Sequence, residues 1–158
     1  MLPTLSGRPI RIEARRSLGP HLAATSIPKR LILLDSQVLR EPGEFERILV
    51  HEVFHFAWLR LSNQTRWSWE DLLQSEIDSR APGELGWSAE WRKLKLKRAD
   101  RVRRTPPWRR YACESFCDSA AWLFAGLTDH DEFTLAPRFR RRRRQWFARH
   151  LPTTGIAI

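Results

Sequence analysis

Long apolar runs are missing from this 158-residue sequence. Its most apolar stretch, residues 48–59, is broken by His51, Glu52 and His55, so no segment reads as a membrane span. The first eight residues, Met1 to Arg8, lack the apolar core of a secretory signal. Cysteine is scarce. Cys113 and Cys117 are the only two, and four residues apart on an expected helix they are badly placed for a disulfide with each other. A reducing cytoplasm fits both facts. Acidic residues are outnumbered, and the formal net charge is +10. Such a surface attracts polyanions, but charge alone does not show that one is bound. Internal repeats and a clear domain boundary are also missing, so one domain over residues 1–158 is expected, with a core supplied partly by eight Trp and eight Phe.

What is present is centred on His51-Glu52-Val53-Phe54-His55, an HExxH pattern. On a helix, positions i and i+4 lie one above the other, so the two imidazoles can grip one metal ion. Glu52 stands beside the same ion without binding it, where it can take a proton from activated water. The flanks predict the helix this requires. Pro42-Gly43 interrupts the chain just before it, and Glu41, Glu44 and Glu46 crowd its first turn, where negative charge suits the helix dipole. Phe45, Ile48, Leu49, Val53, Phe56 and Leu59 surround it with apolar side chains, which predicts a buried helix. Two histidines and a glutamate there are costly unless something satisfies them, and zinc would do so. Core histidines bonded to backbone carbonyls are the bland alternative.

Upstream, residues 8–16 alternate around Ile10 and Ile12 and predict a half-exposed strand ended by Gly19-Pro20. Arg30 to Asp35 reads as a second strand of the same sheet, favoured by its short length between Pro28 and Asp35-Ser36, with a helix as the alternative because Leu is helix-friendly. Downstream, Ser62 to Thr65 reads as a loop, and Ser68 as the cap of a short helix over 69–80. Trp87, Trp91, Leu94 and Val102 recur at helical spacing among Lys and Arg, predicting one basic amphipathic helix over 87–104. Thr105-Pro106-Pro107 stops it and starts the next, over 108–126 with Gly126 at its end. A final helix is expected from about 138 to 150, followed by Leu151-Pro152 and a short tail.

A catalytic zinc site commonly has three protein ligands and one open position. The extended HExxHxxGxxH pattern fails here, because Trp58 and Leu61 occupy its Gly and His places. Another candidate lies in Tyr111-Ala112-Cys113-Glu114-Ser115-Phe116-Cys117-Asp118. Glu114 and Asp118 are four apart with Tyr111 three before Glu114, and all three are expected on one face. HExxH followed by a helix bearing ExxxD resembles the gluzincin metallopeptidases, and among these it is similar to the minimal ImmA/IrrE-type peptidases. The resemblance implies an α+β zincin-like domain with a small mixed sheet packed on the metal helix. It further implies Glu114 as the third zinc ligand and Asp118 as a carboxylate that orients a ligand histidine. Tyr111 carries two readings, a donor to a developing oxyanion or a core tyrosine with a satisfied hydroxyl. Cys113 and Cys117 are expected to pack the core, the alternative being a closed His2Cys2 zinc site.

The run from Arg138 to Phe147 is expected to dock through Phe139, Trp146 and His150 and leave its guanidiniums in water. Any nucleic-acid contact should then be weak, salt-sensitive and independent of sequence. The expectation is a cytoplasmic zinc metallopeptidase acting on a peptide or protein, with no membrane partner. A basic nucleic-acid-associated protein with a structural or inactive zinc site is the alternative.

Overall fold

Leu31-Ile32-Leu33-Leu34-Asp35 forms the central strand, β4 (Leu31–Asp35), and all of it but Leu33 is buried. A computed structural model describes residues 3–151 and 155–158; Met1 and Leu2 of the N-terminal stretch and Pro152 of the tail lie outside the described residues. β2 (Arg11–Arg15) runs parallel to β4 on one side, and β3 (Ala23–Ser26) runs antiparallel on the other. β2 is an edge strand and more exposed than expected, with Ile12 open to solvent. β3 was not foreseen. Its Ala-Ala-Thr-Ser has no apolar alternation, and it is fixed by pairing with β4 through a turn in which Arg30 adopts the left-handed conformation and donates its N–H to the Ile27 carbonyl. A separate two-stranded ribbon pairs β1 (Leu5–Ser6) in parallel with β5 (Ile156–Ala157).

After a 3-10 turn at Val38–Arg40, helix α1 (Glu44–Arg60) carries the HExxH residues. Gly43 precedes it at φ 87°, and Glu46 accepts a hydrogen bond from the Gly43 N–H. Helix α2 (Asn63–Asp78) begins earlier than the predicted 69–80. The loop expected at 62–65 is its cap and first turn, because Ser62 accepts from the Thr65 N–H, whereas Ser68 bonds back to the Thr65 carbonyl inside the helix. The single helix expected over 87–104 is two, α3 (Trp87–Lys95) and α4 (Arg98–Arg103). The chain extends at Leu96-Lys97, and the Asp100 carboxylate accepts the Lys97 N–H to start the second. Helix α5 (Pro106–Phe124) opens on two prolines, and α6 (Pro137–His150) opens on one. Among the described residues the fold is α+β, with six helices and a small mixed sheet. No described helix is long and apolar enough to cross a membrane.

Helices α1 and α5 pack face to face, and aromatics fill the space behind them. Phe116 stacks on Phe147 with centroids 5.0 Å apart, and Trp69 meets Trp146 edge-on at 4.8 Å. The buried indoles find acceptors: Trp69 donates to the Ala112 carbonyl, Trp108 to Glu70 and Trp146 to Ser68. Within the arginine run, Phe139 and Trp146 dock as expected, but Arg143 lies on the same stripe and is fully buried. Its guanidinium donates to Glu76 at 2.8 Å and to Glu84 at 2.7 Å. The expectation that the guanidiniums all stay in water is therefore corrected at this position.

Candidate metal centre

α1 presents His51 and His55 one turn apart on the side facing α5. Their rings lie 5.0 Å apart between centroids and nearly perpendicular. From α5, Asp118 Oδ1 stands 2.7 Å from His51 Nδ1, and Glu114 Oε2 stands 3.3 Å from His51 Nε2. The ExxxD spacing thus brings one carboxylate to each nitrogen of a single imidazole.

Both carboxylates are held from outside by α3. The second Asp118 oxygen accepts the Ala89 N–H at 3.0 Å. Glu114 accepts from the Ser88 hydroxyl and pairs with Arg92 at 3.2 Å. Gly86 makes this approach possible, because a Cβ there would fall 2.2 Å from the Asp118 carboxyl carbon. Burial pulls the His51 pKa down, but Asp118, Glu114 and Glu52 outweigh it and hold it well above the ordinary value. Burial raises the Glu114 pKa, yet the two histidines and Ser88 bring it to about 2. The pocket is thus built to hold positive charge.

His55 has a different environment. Its Nδ1 lies 3.5 Å from both Cys113 Sγ and Cys117 Sγ. The cysteines therefore touch a candidate ligand, beyond the core packing expected of them. The Cys117 contact, opposed by burial and helped by His55, lowers Cys113 to about 6, while burial and Cys113 push Cys117 well up. Ligand atoms of His51, His55 and Cys117 all lie within 4.8 Å of one another, a group that could hold a metal ion. Glu114 falls outside this tightest group and approaches from the His51 side.

Glu52 lines a cleft of about 450 Å³ together with His51, His55, Cys113 and Glu114. Trp58, Leu59 and Ile27 form its apolar walls, and Leu59, expected in the apolar surround of α1, is exposed there. Ala23, Ala24 and Thr25 of edge strand β3 form its rim, and Thr25 Oγ1 is buried with no hydrogen-bond partner among the described residues.

Tyr111 does not reach the cleft, which corrects its reading as an oxyanion donor. It is fully buried, and its hydroxyl donates to Glu84 Oε1 at 2.6 Å on the Arg143 side of α5. Glu84, Ser88 and Arg92 come from the segment that the sequence motifs leave unassigned. Only Gly86, a glycine where the chain must pass close to Asp118, hints at their role. Compared with family models, with curated proteins and with solved structures, the chain finds no match in any of the three.

Proposed function

We propose that the protein is a zinc-dependent metallopeptidase of the gluzincin type, built on a zincin-like arrangement of α1, α5 and the small sheet. The observation that carries this reading is the treatment of His51. Asp118 occupies Nδ1, which fixes the ring and its tautomer and leaves Nε2 directed at Glu114. The donor set fits the ion, since zinc accepts imidazole nitrogen and carboxylate oxygen. We assign His51, His55 and Glu114 as ligands. Glu114 is preferred to Cys117 because it lines the cleft and is ionised far below neutral pH, whereas burial disfavours the Cys117 thiolate.

Zinc, if held by His51, His55 and Glu114, would supply the acidity of a bound water and the polarisation of a carbonyl. The chain's own residues supply the rest. Glu52, in the cleft beside both histidines, takes the proton from the attacking water and passes it to the leaving amine. Edge strand β3 offers backbone groups to an extended peptide, and its alanines keep the approach open. Trp58, Leu59 and Ile27 receive apolar side chains of the substrate. A closed site using Cys113 and Cys117, in a basic nucleic-acid-associated protein, is the competing reading, and the sulfur contacts on His55 favour it.

Elemental analysis of protein purified without chelator should find about one zinc per chain, and competition with a chromogenic chelator should rank the variants. Asp118→Ala is expected to weaken zinc about 10- to 100-fold, as loss of a carboxylate behind a ligand does. Glu114→Ala should weaken it much further. Absence of zinc uptake overturns the proposal, and wild-type affinity in Glu114→Ala moves the third ligand to Cys117.

A further inference from the structure

Helix α3 is packed with its polar side inward. Ala89 is fully buried, and Lys93 donates to the carbonyls of Ala81 and Gly83 at 2.9 and 2.7 Å. Ser88 and Arg92 reach Glu114 from the same side. The large apolar residues are on the opposite face: Trp87, Trp91 and Leu94, spaced i, i+4, i+7, are 54%, 66% and 79% exposed. Val102 on α4 is 69% exposed. A helix on a protein body ordinarily turns its apolar stripe to the core, and a stripe turned outward marks an interaction surface. This one is held firmly, because Glu132 accepts the Trp87 N–H and Asp118 accepts the Ala89 N–H.

The surrounding charge is mainly basic; the exposed Asp78 and Asp71 of α2 are paired with Arg101 and Arg104. Lys95, Lys97, Arg98 and Arg103 are exposed around the stripe. The two acids of the segment are occupied elsewhere: Asp100 binds the Lys97 N–H and the Thr105 hydroxyl, and Glu90 turns toward Thr134.

We propose that the α3–α4 face docks on the surface of an anionic lipid bilayer. Trp87, Trp91 and Leu94 enter the boundary between headgroups and acyl chains, and Lys95, Lys97 and Arg98 meet the headgroup charge. Tryptophan is favoured at that depth, where its ring is buried and its N–H stays wet. A single-stranded nucleic acid fits less well, because Leu94 and Val102, the most exposed of the large apolar side chains, have no aromatic face for a base. A protein partner fits less well too. A nine-residue helix offers few contacts beside the roughly 20–30 residues a side of a stable interface. No membrane partner was expected from the sequence, because the argument there concerned spans and this helix would lie on the surface. Ser88 on α3 also lines the cleft, so docking would bring the cleft close to the bilayer. The proposal does not depend on zinc or on peptidase activity.

Co-sedimentation of the full chain with phosphatidylcholine vesicles, with and without phosphatidylserine, tests it at physiological salt. Binding to the phosphatidylserine vesicles is expected, with little to the neutral ones. The triple variant W87S/W91S/L94S, altered only at exposed positions, should keep its circular dichroism spectrum and bind at least tenfold more weakly. K95Q and K97Q should each cost about fivefold. R141Q/R144Q, which removes two exposed arginines of α6 outside the docking face, should bind like wild type within about twofold. The proposal is overturned if anionic vesicles are not bound, or if the triple variant binds them as wild type does. It is also overturned if those residues are needed for a polyuridine probe while vesicles are left unbound.

Discussion

Glu52→Gln is expected to abolish peptide cleavage while leaving zinc and fold in place. Glutamine keeps the shape and hydrogen-bonding capacity of Glu52 but accepts no proton. The substituted position lies on the cleft wall and outside the ligand set assigned here, so metal content should not change. Loss of a general base costs roughly 10²- to 10⁴-fold, and the fall in rate should be at least that. The assay should use a library of extended peptides or an unfolded protein, since an extended chain is what the β3 edge is proposed to pair with. Equal cleavage by wild type and by a zinc-loaded Glu52→Gln variant would refute the mechanism.

Arg143→Ala should produce the largest loss of stability of any single substitution on α6. Arg143 is fully buried and joins Glu76 on α2 to Glu84 in the segment before α3. Removing it leaves two buried carboxylates. Glu84 keeps Tyr111 and Lys93, but among the described residues Glu76 has its other oxygen already without a partner and would lose its only side-chain bonds. Breaking a buried ion pair from one side costs about 3–5 kcal/mol, enough to unfold many domains at ambient temperature. Urea denaturation measures it, and a loss below about 1 kcal/mol, the range of an exposed pair, would contradict the account.

The same network sets a pH dependence. Burial raises the Glu84 pKa, but Arg143, Lys93 and Tyr111 outweigh it and hold it below the ordinary 4.5. A carboxyl depressed in the folded state binds fewer protons there than in the unfolded chain. Its stabilisation is therefore present above pH 4.5 and drains away as pH falls through the folded value. The urea midpoint of wild type should fall below that pH, and in Arg143→Ala the fall should shrink or reverse, because burial then raises the carboxyls unopposed by Arg143 and acid relieves their buried charge.

The parts of the fold that were legible in the sequence are those written locally. Helix α1 is announced by Pro42-Gly43, by acids in its first turn and by the i, i+4 histidines, and α5 by two prolines and Gly126. The resemblance implied that Asp118 meets one of the two HExxH histidines, and the one it lies against is His51. What was not legible depends on partners distant in sequence. β3 has no strand pattern of its own and exists through β4. Arg143 looks like any other arginine in its run until Glu76 and Glu84 arrive from two other segments. Tyr111 shares the spacing of Glu114 and Asp118 along α5, yet its longer side chain is committed to Glu84. The split between α3 and α4 turns on one side chain, Asp100, capping a new helix where apolar periodicity alone runs straight through.

The central claim is an open zinc site made of nitrogen and oxygen donors. X-ray absorption at the zinc edge of the loaded protein tests it most directly. The account predicts a first shell of imidazole nitrogens and light oxygen donors at about 2.0–2.2 Å, with no sulfur. A sulfur shell at about 2.3 Å would place Cys113 or Cys117 on the metal, close the site and contradict the proposed catalysis.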